Sequence, residues 1–157
     1  MPAIFEFPHT VQSHEIDGQG HVNNVEYLRW LQDAAVAHSA AQGWTTERYQ
    51  AAGAVFVVRS HLIEYLQPAF VGDEIKVVTW VSTFGKITSL RKYLIVRPSD
   101  NTVLVRAQTN WAFISWPQRT PRRCPPELVA AFELVAESQE PTASTFANVS
   151  VNLGTVN

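Results

Sequence analysis

Residues 17–41, DGQGHVNNVEYLRWLQDAAVAHSAA, constrain the fold more than any other stretch: an acidic, glycine-bearing loop runs directly into a long amphipathic helix. The helix start is set by its chemistry. Asn23 is a good N-cap, because its side-chain oxygen accepts a first-turn backbone N–H. Glu26, three residues on, completes a capping box, and Val22 and Tyr27 occupy the two hydrophobic-staple positions. Along the body, Glu26, Arg29 and Asp33 form a charged stripe suited to ion pairs. Tyr27, Leu31, Ala34, His38 and Ala41 form the opposite stripe, apolar apart from the histidine. Alanines at 34, 35, 37, 40 and 41 allow another surface to approach closely. The strand-rich sequence downstream makes that surface a sheet.

The rest of the chain supplies the strands. Residues 4–12 read as a first strand edged by Pro8. Gly43 stops the long helix, and Thr45 or Thr46 caps a short one over 47–52, which Gly53 ends. Residues 55–66, β-branched and aromatic between Gly53 and Pro68, form a strong strand. Further strands follow over 74–84, 87–97 and 102–115, separated by Gly85-Lys86 and by the turn Pro98-Ser99-Asp100-Asn101. In the last strand Val103, Val105, Ala107, Thr109, Trp111 and Phe113 share one face at period two. Arg106, Gln108 and Asn110 take the other. Pro125-Pro126 opens a helix over 127–137, and 138–157 is a polar tail in which NVSVN is a candidate edge strand. The expected organisation is one domain over 1–137 plus the tail. One long helix against an antiparallel sheet of consecutive strands is an α+β layer.

Composition narrows the function. A chain of 157 residues, 46% hydrophobic and 17% charged, builds one globular core. A net charge of −2 argues against a nucleic-acid binder. The lone Cys124 excludes an intrachain disulfide framework and fits a reducing, cytoplasmic compartment; beside Pro125 in a polar loop it is a poor nucleophile. No Cys/His grouping has zinc spacing, so no metal is expected. No segment reads as a signal peptide or a membrane span.

The chemistry lies just ahead of the long helix. Gly18 and Gly20 admit backbone angles closed to other residues, which sets Asp17 on a sharp turn. First-turn N–H groups are unpaired and carry the positive end of the helix dipole. If Asn23 caps a later N–H, that of Asn24 is left to meet an incoming oxygen. A carboxylate beside such a donor is a minimal acyl-transfer arrangement; the alternative for Asp17 is a turn or capping residue. Glu15 shares a strand face with Asp17 and is expected to be solvated. His21 reads as a substrate or loop donor, and His38 as a core histidine.

Asp17-x-x-Gly20-x-Val22-x-x-x-x-Tyr27, followed by Leu28-Arg29-Trp30, resembles the motif of the 4-hydroxybenzoyl-CoA thioesterase-like branch of the hotdog-fold superfamily. The His21-Val22-Asn23-Asn24 variant is similar to members acting on acyl-CoA or acyl carrier protein thioesters. The resemblance covers about residues 5–116, including strand order and Pro68…Gly72-Asp73. It implies a sheet wrapped around the long helix and hydrolysis of a fatty or aromatic acyl-CoA to free acid and coenzyme A, without a cofactor. It implies that Asp17 is the catalytic carboxylate and that the Asn24 N–H polarises the thioester carbonyl. Several relatives carry His or Tyr at the position of Asn24 and Asn at that of Glu26, so here the backbone rather than those side chains carries the role. The expected substrate contacts are His21, Val25 and Tyr27, with Arg59, Ser60 and His61 mid-strand, where relatives place active-site groups from a facing subunit. That arrangement implies a homodimer or homotetramer. With no G-x-S-x-G elbow, a serine nucleophile is not expected.

Coenzyme A phosphates need cations. Arg119, Arg122 and Arg123 form the densest basic cluster, with Arg91 and Lys92 a second candidate. Trp80, Phe84, Trp111 and Phe113 read as core or subunit-interface aromatics. Two rivals stand beside hydrolysis. One is a hotdog hydratase or dehydratase using Asp17 and His21, four residues apart; the other is a non-catalytic acyl-CoA-binding protein.

Overall fold

The computed structural model describes residues 3–142; the NVSVN segment and most of the expected tail lie outside them. Five strands, β1 (Phe5–Thr10), β2 (Ala54–Tyr65), β3 (Glu74–Phe84), β4 (Thr88–Arg97) and β5 (Thr102–Ser115), form one sheet. Its order is β1-β3-β4-β5-β2, with every neighbouring pair antiparallel. Helix α1 (Asn24–Ala41) lies on the inner face of this sheet, and α2 (Thr46–Ala52) follows it. The expected order of elements along the chain is present, and through β5 the boundaries fall within about two residues, the scatter normal for element ends. The sheet is not built of consecutive strands throughout, because β2 crosses over to pair with β5 and β1 takes the place beside β3.

Helix α1 starts where its residues dictate, but without the expected capping box: the Asn23 N–H donates to Glu15 O at 2.9 Å rather than to the Glu26 side chain. Asn23 is the N-cap and its Oδ1 accepts from the Val25 N–H at 3.1 Å. Val22 and Tyr27, the staple pair, are 1% and 3% exposed. Glu26 pairs with Arg29 at 3.9 Å. The buried stripe is Tyr27, Trp30, Leu31, Ala34, Ala35, His38 and Ser39. Ala40 and Ala41 are exposed, so the small-residue contact is confined to Ala34 and Ala35. Leu31 is fully buried, which contributes about 1.5–3 kcal/mol. It packs with Tyr27, Ile75, Val77, Ile95 and Leu104 in the central core.

Two departures from the expected pattern have clear causes. In β5 the register passes from Val96↔Val103 to Ile95↔Val105, so Leu104 is a bulge. One extra residue reverses the alternation: Val105 and Ala107 face the helix, but Val103 packs on the outer face near Val78, Trp80, Leu94 and Val96. The helix expected over 127–137 is only α3 (Pro126–Ala130). Beyond it, Phe132 enters a core cluster with Phe113 and Val81. Val135 joins the outer-face cluster, and its N–H donates to Val81 O at 3.0 Å. A continued helix could not deliver these two side chains to opposite faces of the sheet. Packed chain runs on to Glu140, which pairs with Lys92 at 2.7 Å, and to the buried Pro141.

Candidate active site

The loop before α1 is a closed turn. Ile16 and Val22 form an isolated antiparallel bridge, the Asp17 N–H donates to His21 O at 2.8 Å, and the Gly20 N–H to Asp17 O at 3.2 Å. Of the two glycines, only Gly20 adopts a positive φ, 89°; there a side chain is strained even though the space is open. Asp17 Oδ1 accepts from the Gln19 N–H at 2.8 Å, an Asx turn. The second oxygen, Oδ2, lies 3.5 Å from His21 Nδ1. Asp17 is therefore a turn residue through one carboxylate oxygen, while the other faces the His21 ring.

The helix start behind it supplies the donor. The Val25 N–H is taken by Asn23 Oδ1 and the Glu26 N–H by Asn23 O. The N–H of Asn24 has no acceptor among the described residues. The Asn24 carbonyl is approached by Tyr65 Oη at 3.4 Å. Tyr27 sits under the loop, its hydroxyl accepting from the Ala69 N–H at 3.2 Å and its ring 5.6 Å from that of Tyr65. Burial pushes the Tyr27 phenol above its ordinary pKa, so it stays protonated at neutral pH. Val25 is 58% exposed beside this site.

Glu15 is not solvated, contrary to expectation. It is 4% exposed, with the Trp30 Nε1–H at 2.7 Å, His9 Nε2 at 2.8 Å and the Gln12 N–H at 2.8 Å. Burial raises its pKa, but these three partners together outweigh burial and hold the carboxyl below its ordinary 4.5. The cluster ties β1, the loop and α1 together two residues before Asp17. Nothing local in the sequence couples Glu15 to Trp30, fifteen positions away. Glu15→Ala should cost about 3 kcal/mol in urea denaturation at pH 7, since it strands buried donors. A folded-state pKa below the unfolded one means that the stabilisation is complete above pH 4.5 and lost as pH falls below it. The wild type should therefore lose more stability than the variant across that acid range.

The mid-strand candidates lie on β2, an edge of the sheet. The register jumps between Val58 and Ser60, so Arg59 is bulged, and both Arg59 and Ser60 are exposed. His61 Nδ1 is 2.8 Å from Thr109 Oγ1 across the strand pair, and burial lowers its pKa. None of the three makes a hydrogen bond or ion pair to the Asp17 loop within this chain.

The two basic clusters fare differently. Arg119, Arg122 and Arg123 are exposed on the loop after β5. Arg119 stacks on Trp116 with its Cζ 4.9 Å from the ring centre, and Arg122 donates to Ala52 O at 2.7 Å. Arg91 and Lys92 do not form a cluster, because neighbours in a strand face opposite ways. Lys92 is outside, paired with Glu140; Arg91 is inside and 6% exposed, out of reach of a phosphate at the surface. The phase of β4 could have revealed this, since Arg91 shares a face with the buried Tyr93 and Ile95. Cys124 is buried, not in an open loop, and burial raises its pKa. Among the described residues no group of three or more His, Cys, Asp or Glu side chains is disposed to hold a metal ion. No helix among them is long and apolar enough to cross a membrane.

Comparison with known proteins bears on the fold and the family. The chain is 24% identical over 130 residues to the acyl-CoA thioester hydrolase YbgC of Escherichia coli, covering 83% of this chain and 96% of YbgC. It is 23% identical over 145 residues to the chloroplastic palmitoyl-acyl carrier protein thioesterase of Gossypium hirsutum, covering 88% of this chain but only 35% of that one. It thus spans about a third of the plant relative. Its fold is similar to that of Slr0204, a 1,4-dihydroxy-2-naphthoyl-CoA thioesterase from Synechocystis, with a TM-score of 0.76, 21% identity and coverage of 82% and 94%. The helix wrapped by an antiparallel sheet is the hotdog fold. A family model matches residues 11–132, most of the domain. The chain belongs to the Thioesterase-like superfamily.

Proposed function

We propose that this protein hydrolyses the thioester of an acyl-CoA to a free acid and coenzyme A. The observation that carries the reading is the unused Asn24 N–H at the start of α1, behind a turn that leaves Asp17 one carboxylate oxygen. The thioester carbonyl accepts from that N–H, which stabilises the developing oxyanion; a donor of this kind is worth about 3 kcal/mol. Asp17 Oδ2 either attacks the carbonyl carbon, expelling the thiolate and leaving a mixed anhydride that water then hydrolyses to the free acid, or takes a proton from an attacking water, after which the thiolate leaves and is protonated. His21, Val25 and Tyr27 frame the site, and Arg119, Arg122 and Arg123 meet the coenzyme A phosphates.

The reading includes a homodimer. β2 is a 12-residue edge strand carrying exposed Leu62 and Tyr65, and such an edge needs a partner. Pairing β2 with β2 of a second copy sets Arg59, Ser60 and His61 beside that copy's site. A buried, reduced Cys124 suits the cytoplasm. The test is thiol release from a panel of acyl-CoAs and acyl carrier protein thioesters, with crotonyl-CoA hydration run in parallel. Thiol release above background supports hydrolysis. Hydration without thiol release, or binding without turnover, replaces it with one of the two rivals.

A further inference from the structure

A concave site lies on the inner face of the sheet, away from the Asp17 loop. It is a cavity of about 240 Å³ between the C-terminal half of α1, α2 and strands β2 to β5. Its walls are aromatic, with Tyr49, Phe56, Phe84, Trp111 and Phe132 among them; Phe84 and Trp111 are thus cavity residues, whereas Trp80 packs on the outer face. Ala35, the lining residue of α1 nearest its start, is eleven residues from Asn24, roughly 16 Å along the helix.

One side chain in this wall is not apolar. Arg91 is buried, and its Nη1 donates to His38 Nδ1 at 2.8 Å and to Thr79 Oγ1 at 3.1 Å. Nε and Nη2 have no acceptor among the described residues. No carboxylate there bonds to the guanidinium; the groups around it are the Tyr93 and Tyr49 phenols and, at 5.9 Å, the Phe132 ring. A buried cation without an anion costs several kcal/mol, and two planar donors in a fork match a carboxylate. A cavity of about 150 Å³ takes one benzene ring, so this one takes a ring-sized body with a further polar group.

We propose that this cavity binds a molecule with a ring-sized apolar body ending in a carboxylate, the body between the aromatic walls and the carboxylate on Arg91. Two sources carry that chemistry: an acyl group with a carboxylate at its far end, or a free carboxylic acid. The first rests on the thioesterase reading; the second does not.

Calorimetric titration of the intact protein with 3-phenylpropionate, and with its amide as the uncharged control, tests the site without reference to turnover. The acid should bind one per chain and at least about tenfold more tightly than the amide, the factor one charge-assisted hydrogen bond supports. Arg91→Met should abolish the difference and Arg91→Lys retain part of it. The acid–amide comparison on wild type needs no variant, so a folding defect in Arg91→Met leaves the test intact. Equal binding of acid and amide, no binding of either, or discrimination unchanged in a folded Arg91→Met overturns the proposal. Thiol release from hexadecanedioyl-CoA against palmitoyl-CoA, chains long enough to reach from the Asn24 N–H to Arg91, then separates the sources. Preference for the carboxylate identifies the acyl group, and acid binding without that preference identifies the free acid. Acid binding by a protein that releases no thiol would sink the proposed function and leave this site standing.

Discussion

Replacing Asp17 by Asn lowers the rate of thiol release by about 10²–10⁴-fold, the range that a positioned general base supplies, while urea denaturation is almost unchanged. The two readouts separate because the two carboxylate oxygens have separate tasks. Asn retains an Oδ1 that accepts from the Gln19 N–H, so the turn closed at 2.8 Å persists. What it lacks is a second oxygen able to attack or to take a proton. A parallel loss of activity and stability would mean that Asp17 serves the loop alone. Unchanged turnover would remove it from the mechanism. Asp17→Ala is the less informative variant, since it removes both functions together.

Asn24→Pro tests the donor, and a drop in kcat of about 10²–10³-fold is expected, the cost of deleting one oxyanion-hole donor. Proline is tolerated at the first helical position, where its missing N–H would be unpaired anyway. It demands an extended residue before it, and Asn23 is already at φ −63° and ψ 134°. The substitution therefore deletes one N–H and leaves α1 in place. Asn24→Ala is the matched control: it removes the side chain but keeps the donor, and should retain most of the activity. If alanine and proline are equally impaired, the side chain rather than the backbone carries the role. If neither is impaired, the oxyanion is stabilised elsewhere.

The local parts of the fold and site were legible in the sequence because their determinants are close together in it. Asn23, Val22 and Tyr27 mark the start of α1 within five positions, and each behaves as its chemistry requires. The β3-β4-β5 meander followed from its short turns, whereas the pairings of β2 with β5 and of β1 with β3, which no turn joins, did not. Features that depend on distant partners were not legible. Glu15 reads as a surface acid until Trp30 and His9 arrive from other elements. The bulge at Leu104 is silent in a run of β-branched residues, and it sent Val103 to the unexpected face. The helix expected over 127–137 has good local propensity, which lost to the burial of Phe132 and Val135 in separate clusters. Arg91 was misread for a different reason: charge was weighed before phase.

The segment after α3 has a consequence beyond closing the core. β1 pairs with β3 only as far as Phe5↔Thr79, and the Val135 N–H takes the next edge carbonyl, that of Val81. With Phe132 on one side of the sheet and Val135 on the other, Glu133 and Leu134 span the edge like a buckle. Phe132 is also a wall of the aromatic cavity. Filling that cavity and fastening the segment that runs on to Glu140 are then two loads on one short tether. A guest that displaces Phe132 also loads the outer grip at Val135, and by thermodynamic reciprocity any such effect is equal in both directions. Shortening the tether by one residue would uncouple them, since a single strand edge cannot serve both anchors out of register.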